Sequence, residues 1–213
     1  MNVYAMITEG VRRELQAEKI YGVVIGVVSN NKDDDGLGRV KVTFPWLSED
    51  EESHWARVAT LMAGYDSKKS MKRGTFFLPE VGDEVLVAFE HGDIDRPYVI
   101  GALWNGVDKP PLTNDDGKNN VRLIQSRSGH KVALDDTDGS EKIEITDKTG
   151  KNSIVWDAAS NTITITADKD IVLKAPQGKI SLNAKELELT SSANTTAEAT
   201  GTMTVKGATV NIN

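Results

Sequence analysis

The chain has 213 residues, of which 38% are hydrophobic. This content permits only modest cores, so we expect two small units and not one large one. The 32 acidic and 25 basic residues leave a net charge of −7, which disfavours a protein that wraps a nucleic-acid backbone. There is no cysteine, so disulfide scaffolds and thiolate metal sites are excluded.

The first residues predict neither a secretion signal nor a membrane anchor. They lack the charged start and apolar run of a signal peptide, and no stretch of the chain approaches eighteen apolar residues. We therefore expect the protein to be made in soluble form in the cytoplasm. Ile7, Val11 and Leu15 lie at i, i+4 and i+8, which predicts a short helix within an N-terminal segment of residues 1–20.

From residue 21 to residue 106 the hydrophobic pattern changes to a period of two, which is typical of strands. Val40, Val42 and Phe44, for example, share one face of a predicted strand. Five strands are predicted, at residues 21–29, 39–44, 55–61, 83–89 and 98–104. Five short strands in about eighty residues predict a small closed barrel of the OB type. Residues 45–54 and 63–80 are expected to be loops.

Residues 107–120 are polar, contain two adjacent prolines and show no periodicity, so we expect a linker between two domains. Beyond it, short strands are predicted at residues 121–125, 130–135, 142–146 and 153–157. The sequences SRSG, DTDG and DKTG between them are typical of turns. The domain of residues 121–213 is therefore expected to begin as a run of hairpins.

The C-terminal part of the chain carries a repeat of apolar pairs. No aromatic residue follows Trp156, and apolar residues spaced by two recur at 163/165, 171/173, 180/182, 187/189 and 203/205. One expected pair is replaced by Thr195 and Ala197. Such a repeat predicts a β-solenoid, but two apolar side chains per repeat make too thin a core for a single chain. We therefore expect three intertwined chains, with these pairs on the threefold axis.

Few residues suggest a chemical site. Residues 31–36 begin like a calcium loop, but the position of its closing glutamate is Val42, so no calcium is expected there. The acidic run of residues 49–52 is interpreted as a solvated loop. Trp46, Trp55 and Trp104 are expected in the barrel core or at trimer contacts. The sequence carries no phosphate loop, nucleophile elbow or paired-histidine helix motif, so we predict no enzyme and no catalytic, cofactor or metal residues.

Four stretches carry a family resemblance that covers residues 21–111. They are YGVVIGVVSNN, GLGRVKVTFPWL, SHWARVATLMAG and, most specifically, GTFFLPEVGDEVLVAFEHGDIDRPYVIGALWNGVDKPP. They resemble the central spike proteins of contractile phage tails and contractile injection systems, the family of baseplate assembly protein V and valine-glycine repeat protein G. The C-terminal repeat fits the same family independently.

The resemblance implies an all-β fold, in which an OB-fold domain is followed by an intertwined trimeric β-helix. It also implies a function as a structural, homotrimeric central spike. The OB domain would dock on a separate hub protein and the inner tube, and the β-helix would puncture the target membrane. The protein would be assembled into a phage or injection-system baseplate and delivered to the target cell envelope.

Some features of the family are missing from this sequence. Members with a lysozyme domain carry it between barrel and β-helix, where residues 107–120 are too few to form one. Relatives with an iron-binding tip use a His-x-His arrangement, whereas the histidines here are His54, His91 and His130. We therefore expect no metal, and a separate tip protein of the PAAR type at the C-terminal end.

Two other functions remain alternatives. An OB-type nucleic-acid-binding protein would need aromatic side chains among Lys and Arg, but the basic cluster of residues 68–73 has no aromatic residue and the chain is acidic. A β-helical carbohydrate-binding tailspike usually needs aromatic platforms and paired carboxylates along the solenoid. The lack of aromatic residues after Trp156 disfavours it.

Overall fold

The computed structural model describes residues 19–68 and 70–212, except for the side chains of residues 49 and 50. The helix predicted within residues 1–20 lies outside these ranges, which include only residues 19 and 20 of that segment. The chain divides between Gln125 and Ser126 into two units. Within the described ranges, no helix combines the length and apolar character that crossing a membrane requires.

The first unit consists of short strands. In the described part of this unit they are β1 (Val23–Asn30), β2 (Arg39–Phe44), β3 (Ser48–Glu52), β4 (Ala56–Val58), β5 (Ala63–Tyr65), β6 (Lys72–Gly74), β7 (Glu84–Phe89), β8 (Pro97–Ala102) and β9 (Val121–Gln125). A single 3-10 turn, Glu90–Gly92, separates β7 from β8.

Five of these strands form a closed barrel. They follow one another in the order β1, β7, β8, β4 and β2, and β2 pairs back with β1. All neighbours are antiparallel except β4 and β8, which run parallel with Arg57 opposite Tyr98. The predicted OB-type barrel is confirmed. The first and last residues of its five strands lie within three residues of the predicted ones.

Inward-facing side chains of these strands fill the barrel core. Along β2 and β7 every second residue is buried, as the period of two predicts. The buried core residues are Val28, Val40, Val42, Phe44, Ala56, Val85, Val87, Phe89 and Val99. The rings of Phe44 and Phe89 contact each other with centroids 5.7 Å apart. Valine dominates because a β-branched side chain packs well on the pleated surface of a strand.

Gly26 allows β1 to approach β2 closely where the barrel closes. A Cβ atom at this position would lie 2.3 Å from Val42 Cγ1 and 3.2 Å from Phe44 Cε1. Carbon atoms in contact normally lie about 3.5–4.0 Å apart. Val42 is fully buried in a closely packed core, so it has little room to move away. Barrel closure therefore favours glycine at this position.

The acidic run of residues 49–52 forms a strand where the sequence predicted a loop, although Glu51 and Glu52 are exposed to solvent as expected. It lies in β3, which pairs with β2 and forms an edge of the barrel's sheet. Lys41 Nζ donates a hydrogen bond of 2.8 Å to Glu52 Oε2. This bond lowers the pKa of the Glu52 carboxyl. Pairing with β2 overrides the weak strand propensity of acidic residues, and charges on an edge strand discourage pairing with other edges.

Residues 60–77, here called the arm, contain a hairpin where the sequence predicted only a loop. Strands β5 and β6 pair with each other in a separate two-stranded sheet. At the tip, the Asp66 carboxylate accepts hydrogen bonds from the N–H groups of Ser70 and Met71. At the base, the Thr60 hydroxyl donates to the Thr75 carbonyl at 2.9 Å. The prediction failed because each strand has only three residues, too few to show an alternating pattern.

The second unit is an antiparallel meander. Its strands are β10 (Lys131–Asp135), β11 (Lys142–Thr146), β12 (Ser153–Asp157) and β13 (Thr162–Thr166). Each strand pairs with the next, so the unit is built from successive hairpins. Three of these strands coincide with predicted ones, and β13 contains the first predicted apolar pair.

Turn chemistry fixes the hairpins. In the DKTG turn, Asn152 Nδ2 donates to the Asp147 carboxylate at 2.7 Å, and the Thr149 hydroxyl donates to it at 2.8 Å. These bonds hold the pKa of the Asp147 carboxyl well below its usual range. Gly150 in the same turn has a φ of 72°, a conformation that favours glycine. The turn therefore fixes the register of β11 against β12.

Gly26→Ala is expected to destabilise the barrel by about 1–3 kcal/mol, because the added methyl group overpacks Val42. Gly101→Ala is the matched control, since Gly101 also lies in a strand and its Cβ would meet no atom within 4 Å. This control should leave stability unchanged or slightly higher. Denaturant unfolding followed by tryptophan fluorescence measures the difference. Equal stability of the two variants would contradict the close packing of β1 on β2.

Candidate assembly surface

The second unit exposes one apolar face of its meander, here called the two-row face. Apolar and polar residues alternate along the strands, and the antiparallel register places the apolar ones on the same side. The first row consists of Val132, Ile145, Ile154 and Ile165. The second row consists of Leu134, Ile143, Trp156 and Ile163. Each member of a row lies directly opposite the next.

The two-row face is largely open to solvent in the isolated chain. Trp156 is 37% exposed and Ile163 is 64% exposed, with the other side chains of the second row between these values. Burying a half-exposed aliphatic side chain contributes on the order of 1 kcal/mol. A contiguous apolar surface of this kind indicates contact with another molecule.

The opposite face of the meander is mostly polar, although Ala133 and Val155 also lie on it. Lys131 Nζ lies 3.1 Å from Glu144 Oε1, and Lys142 Nζ lies 3.8 Å from Glu144 Oε2. The hydroxyl of Thr146 donates a hydrogen bond to Glu144. The hydrogen bond from Thr146 is the larger cause, and the one from Lys131 the second, of a lowered pKa of the Glu144 carboxyl. The sheet is therefore amphipathic, with one face suited to water and the other to a protein partner.

The spacing of the two-row face continues along the chain after β13. The structure assigns no strand to residues 167–212, all of which it describes. Apolar pairs with the same i, i+2 spacing recur there, and each of their side chains is at least half exposed. These pairs are Ile171/Leu173, Ile180/Leu182, Leu187/Leu189, Met203/Val205 and Val210/Ile212.

The series of apolar pairs also begins earlier than the sequence predicted. The pairs 132/134, 143/145 and 154/156 precede 163/165, with steps of 11, 11 and 9 residues. Sequence reasoning missed them because hairpin turns lengthen these steps beyond the shorter repeat that follows. Alternation within each strand was the signal that could have found them.

The calcium-like loop at residues 31–36 is closed by an internal ion pair. The Asp33 side chain is only 2% exposed. Arg39 donates to its carboxylate from Nη2 at 2.7 Å and from Nε at 2.8 Å, and the N–H of Leu37 adds a further hydrogen bond. The Arg39 guanidinium holds the pKa of the Asp33 carboxyl well below its usual range. Asp33 is therefore a structural residue of this loop.

The histidines have separate surroundings. His54 Nε2 lies 3.5 Å from Asp95 Oδ1. His130 Nδ1 accepts a hydrogen bond from the Lys148 N–H at 3.2 Å. His91 occupies the turn after β7 with a φ of 52°. Among the described residues, no three His, Asp or Glu side chains are grouped so that they could hold a metal ion.

The tryptophans expected in the barrel core lie on its surface. Trp46 and Trp104 are both more than half exposed. Trp55 is partly buried outside the core, with Arg39 Cζ and Lys41 Nζ each 5.6 Å from its ring centroid. The core expectation was wrong because the narrow barrel is already filled by valine and phenylalanine side chains. The alternative that these tryptophans form trimer contacts stays a prediction.

The chain is similar in sequence to known proteins. Residues 24–104 match the family described as the type VI secretion system/phage-baseplate injector OB domain. The type VI secretion system spike protein VgrG3 of Vibrio cholerae is 34% identical over 117 residues, which are 51% of this chain and 11% of that protein. The spike protein VgrG1a of Pseudomonas aeruginosa is 28% identical over 152 residues, 66% of this chain and 23% of that protein.

A third relative is named for an activity. The actin cross-linking toxin VgrG1 of Vibrio cholerae is 31% identical over 117 residues, which are 51% of this chain and 10% of the toxin. The chain therefore spans less than a quarter of the length of these curated relatives. The barrel of residues 24–104 is therefore similar to the OB domain of baseplate injectors. The predicted resemblance is confirmed, since the chain is similar to VgrG spike proteins.

Asp33→Asn is expected to lower the stability of the barrel at neutral pH, because Arg39 loses its ionised partner. The folded-state pKa of Asp33 lies below the unfolded value of about 3.9, so this contribution is present above that pH and is lost as the pH falls. The difference from wild type should therefore shrink towards pH 3. Urea midpoints at several pH values measure it. Asp34→Asn, at an 87% exposed side chain, is the control, and an equal effect would contradict the assignment.

Proposed function

We propose that the protein is a non-enzymatic, homotrimeric central spike at the tip of a contractile tail or injection system. The observation that carries this proposal is the two-row face together with the exposed apolar pairs that follow it. Within the described residues of a single chain, these side chains remain exposed to solvent. Similarity to spike proteins and the injector OB domain supports the same role.

A trimer would cover the apolar side chains. Around a threefold axis, three copies of the two-row face would pack against one another, with polar side chains such as Lys131 and Glu144 facing water. Residues 167–212 would continue this prism, and each segment would form its strand hydrogen bonds with neighbouring chains. In this arrangement, residues 167–212 would have the i, i+2 apolar spacing of strands but would find their strand partners only in the other two chains. This would account for the absence of strand pairing in this segment of a single chain.

The activity of such a spike would be mechanical. Three chains joined by strand hydrogen bonds cannot slip independently, so the prism would transmit an axial force. Strand layers are about 4.8 Å apart, so about six layers would give a rod on the order of 30 Å long, close to the thickness of a bilayer's hydrocarbon core. The β-helix would puncture the target membrane as the tube advances.

The partners follow from this placement. The OB barrel would dock on a separate hub protein and the inner tube, and a PAAR-type tip protein would cover the C-terminal end of the prism. The protein would be made in the cytoplasm, assembled into the baseplate of a phage or injection-system particle, and delivered to the target cell envelope. Nucleic acid is not expected as a partner, because Arg39 and Lys41 beside Trp55 are already paired with carboxylates.

A carbohydrate-binding tailspike is the second candidate, and one observation favours it. Trp156 borders a shallow depression of about 460 Å³ whose rim includes Asp135, Glu141 and Asp157. Aromatic rings beside carboxylates are common in sugar sites. The same depression is lined by Leu134 and other members of the two-row face, so a trimer that buries this face would leave no room for a sugar.

Leu182→Asp is expected to abolish or strongly weaken the trimer, because it would place three unpaired charges near one axis. Ser181→Asp is the matched control, since it adds the same charge to the neighbouring residue, which would face outward. Light scattering measures the solution mass, for which a trimer gives three times the chain mass of 23.2 kDa. A wild-type monomer, or a Leu182→Asp trimer as stable as the control, would refute the axial assignment.

A further inference from the structure

The arm, residues 60–77, combines apolar and basic side chains on an acidic protein. Its exposed large apolar residues are Leu61, Met62, Tyr65, Met71, Phe76 and Phe77. Leu61 is 94% exposed and Phe76 is 78% exposed. Its described basic residues Lys68, Lys72 and Arg73 fall within six positions, in a chain of net charge −7. A surface of this composition indicates a binding partner that is both apolar and acidic.

The arm's fold also indicates a partner. Strands β5 and β6 form a two-stranded sheet that pairs with no other strand in the described chain. Bonds within the arm include Arg73 Nε donating to the Tyr65 carbonyl at 2.8 Å and the Thr60 hydroxyl donating to the Thr75 carbonyl at 2.9 Å. A two-stranded hairpin is at best marginally stable in water unless it packs on something larger.

A surface with the matching properties lies around β3 of the same chain. Glu51 and Glu52 are exposed acidic residues of β3, and β3 ends the order of the barrel's sheet, so one side of it is an edge. The residues just before β3 include Trp46 and Leu47, which are 51% and 55% exposed. The acidic charge discourages pairing with another acidic edge but fits a basic strand. Apolar and acidic groups therefore adjoin here as the arm requires.

We propose that the arm of one copy docks on β3 and the adjoining Trp46–Leu47 surface of a neighbouring copy. This inference rests on the proposed trimer. Within one chain β3 and the arm belong to separate sheets. A head-to-tail contact of this kind closes into a ring when three copies are related by a threefold axis. The barrels would then be joined by a contact of their own, independent of the two-row face.

Cross-linking tests the contact directly, because the chain contains no cysteine of its own. Glu51→Cys and Met71→Cys are introduced together, and the variant is treated with a flexible bismaleimide. We expect covalent dimers and trimers on a denaturing gel. Lys109→Cys with Glu51→Cys is the control pair and should remain largely monomeric. A bond formed within one chain would leave the monomer mass unchanged and would count against the proposal.

Charge reversal provides the second test. Lys72→Glu and Glu51→Lys should each lower the midpoint of thermal trimer dissociation, and the combined variant should recover most of the loss. Lys109→Glu makes the same change in net charge as Lys72→Glu and should have less effect. The arm contact would be overturned if light scattering shows a trimer but the cysteine pair does not cross-link and the combined variant does not recover stability. The spike proposal would then still stand. A wild-type monomer would overturn both.

Discussion

A β-strand presents every second side chain on one face, and each unit of this protein depends on how that apolar face is covered. In the barrel, the chain covers it by itself. Pairing of β2 with β1 closes the sheet, and Gly26 lets the two strands approach over Val42. In the meander the sheet stays open, so the same alternation produces an exposed face. Closure is therefore the physical difference between the two units.

This difference fits the two tasks of the proposed spike. A barrel that covers its own core can fold as a compact docking domain, whose surface residues are free to contact neighbours. A prism that is covered only by three chains has its folding coupled to assembly, as in obligate oligomers. The stiffness of the proposed prism would come from the same contacts, because hydrogen bonds between chains would hold each layer of strands.

The sequence predicted those parts of the fold in which alternation is strong. The barrel strands emerged from the runs around Val40 and Val85, and the hairpins from their Asp- and Gly-rich turns. It did not predict β3, because acidic residues there owe their strand conformation to pairing with β2. Nor did it predict the two rows of the meander, since register across four strands is a tertiary property. The tryptophans were misplaced because hydrophobicity alone does not reveal that a narrow barrel is already full.

Three carboxylates of the described chain serve its architecture. Asp33 closes a loop with Arg39, Asp147 closes a turn, and Glu144 joins two strands through Lys131. In each case the surroundings lower the pKa of the carboxyl and so favour the ionised form. A carboxylic acid that donates protons near neutral pH needs the opposite shift, produced by burial or by a neighbouring negative charge. The electrostatics of these three groups therefore support rigidity, which the proposed spike would require to bear force.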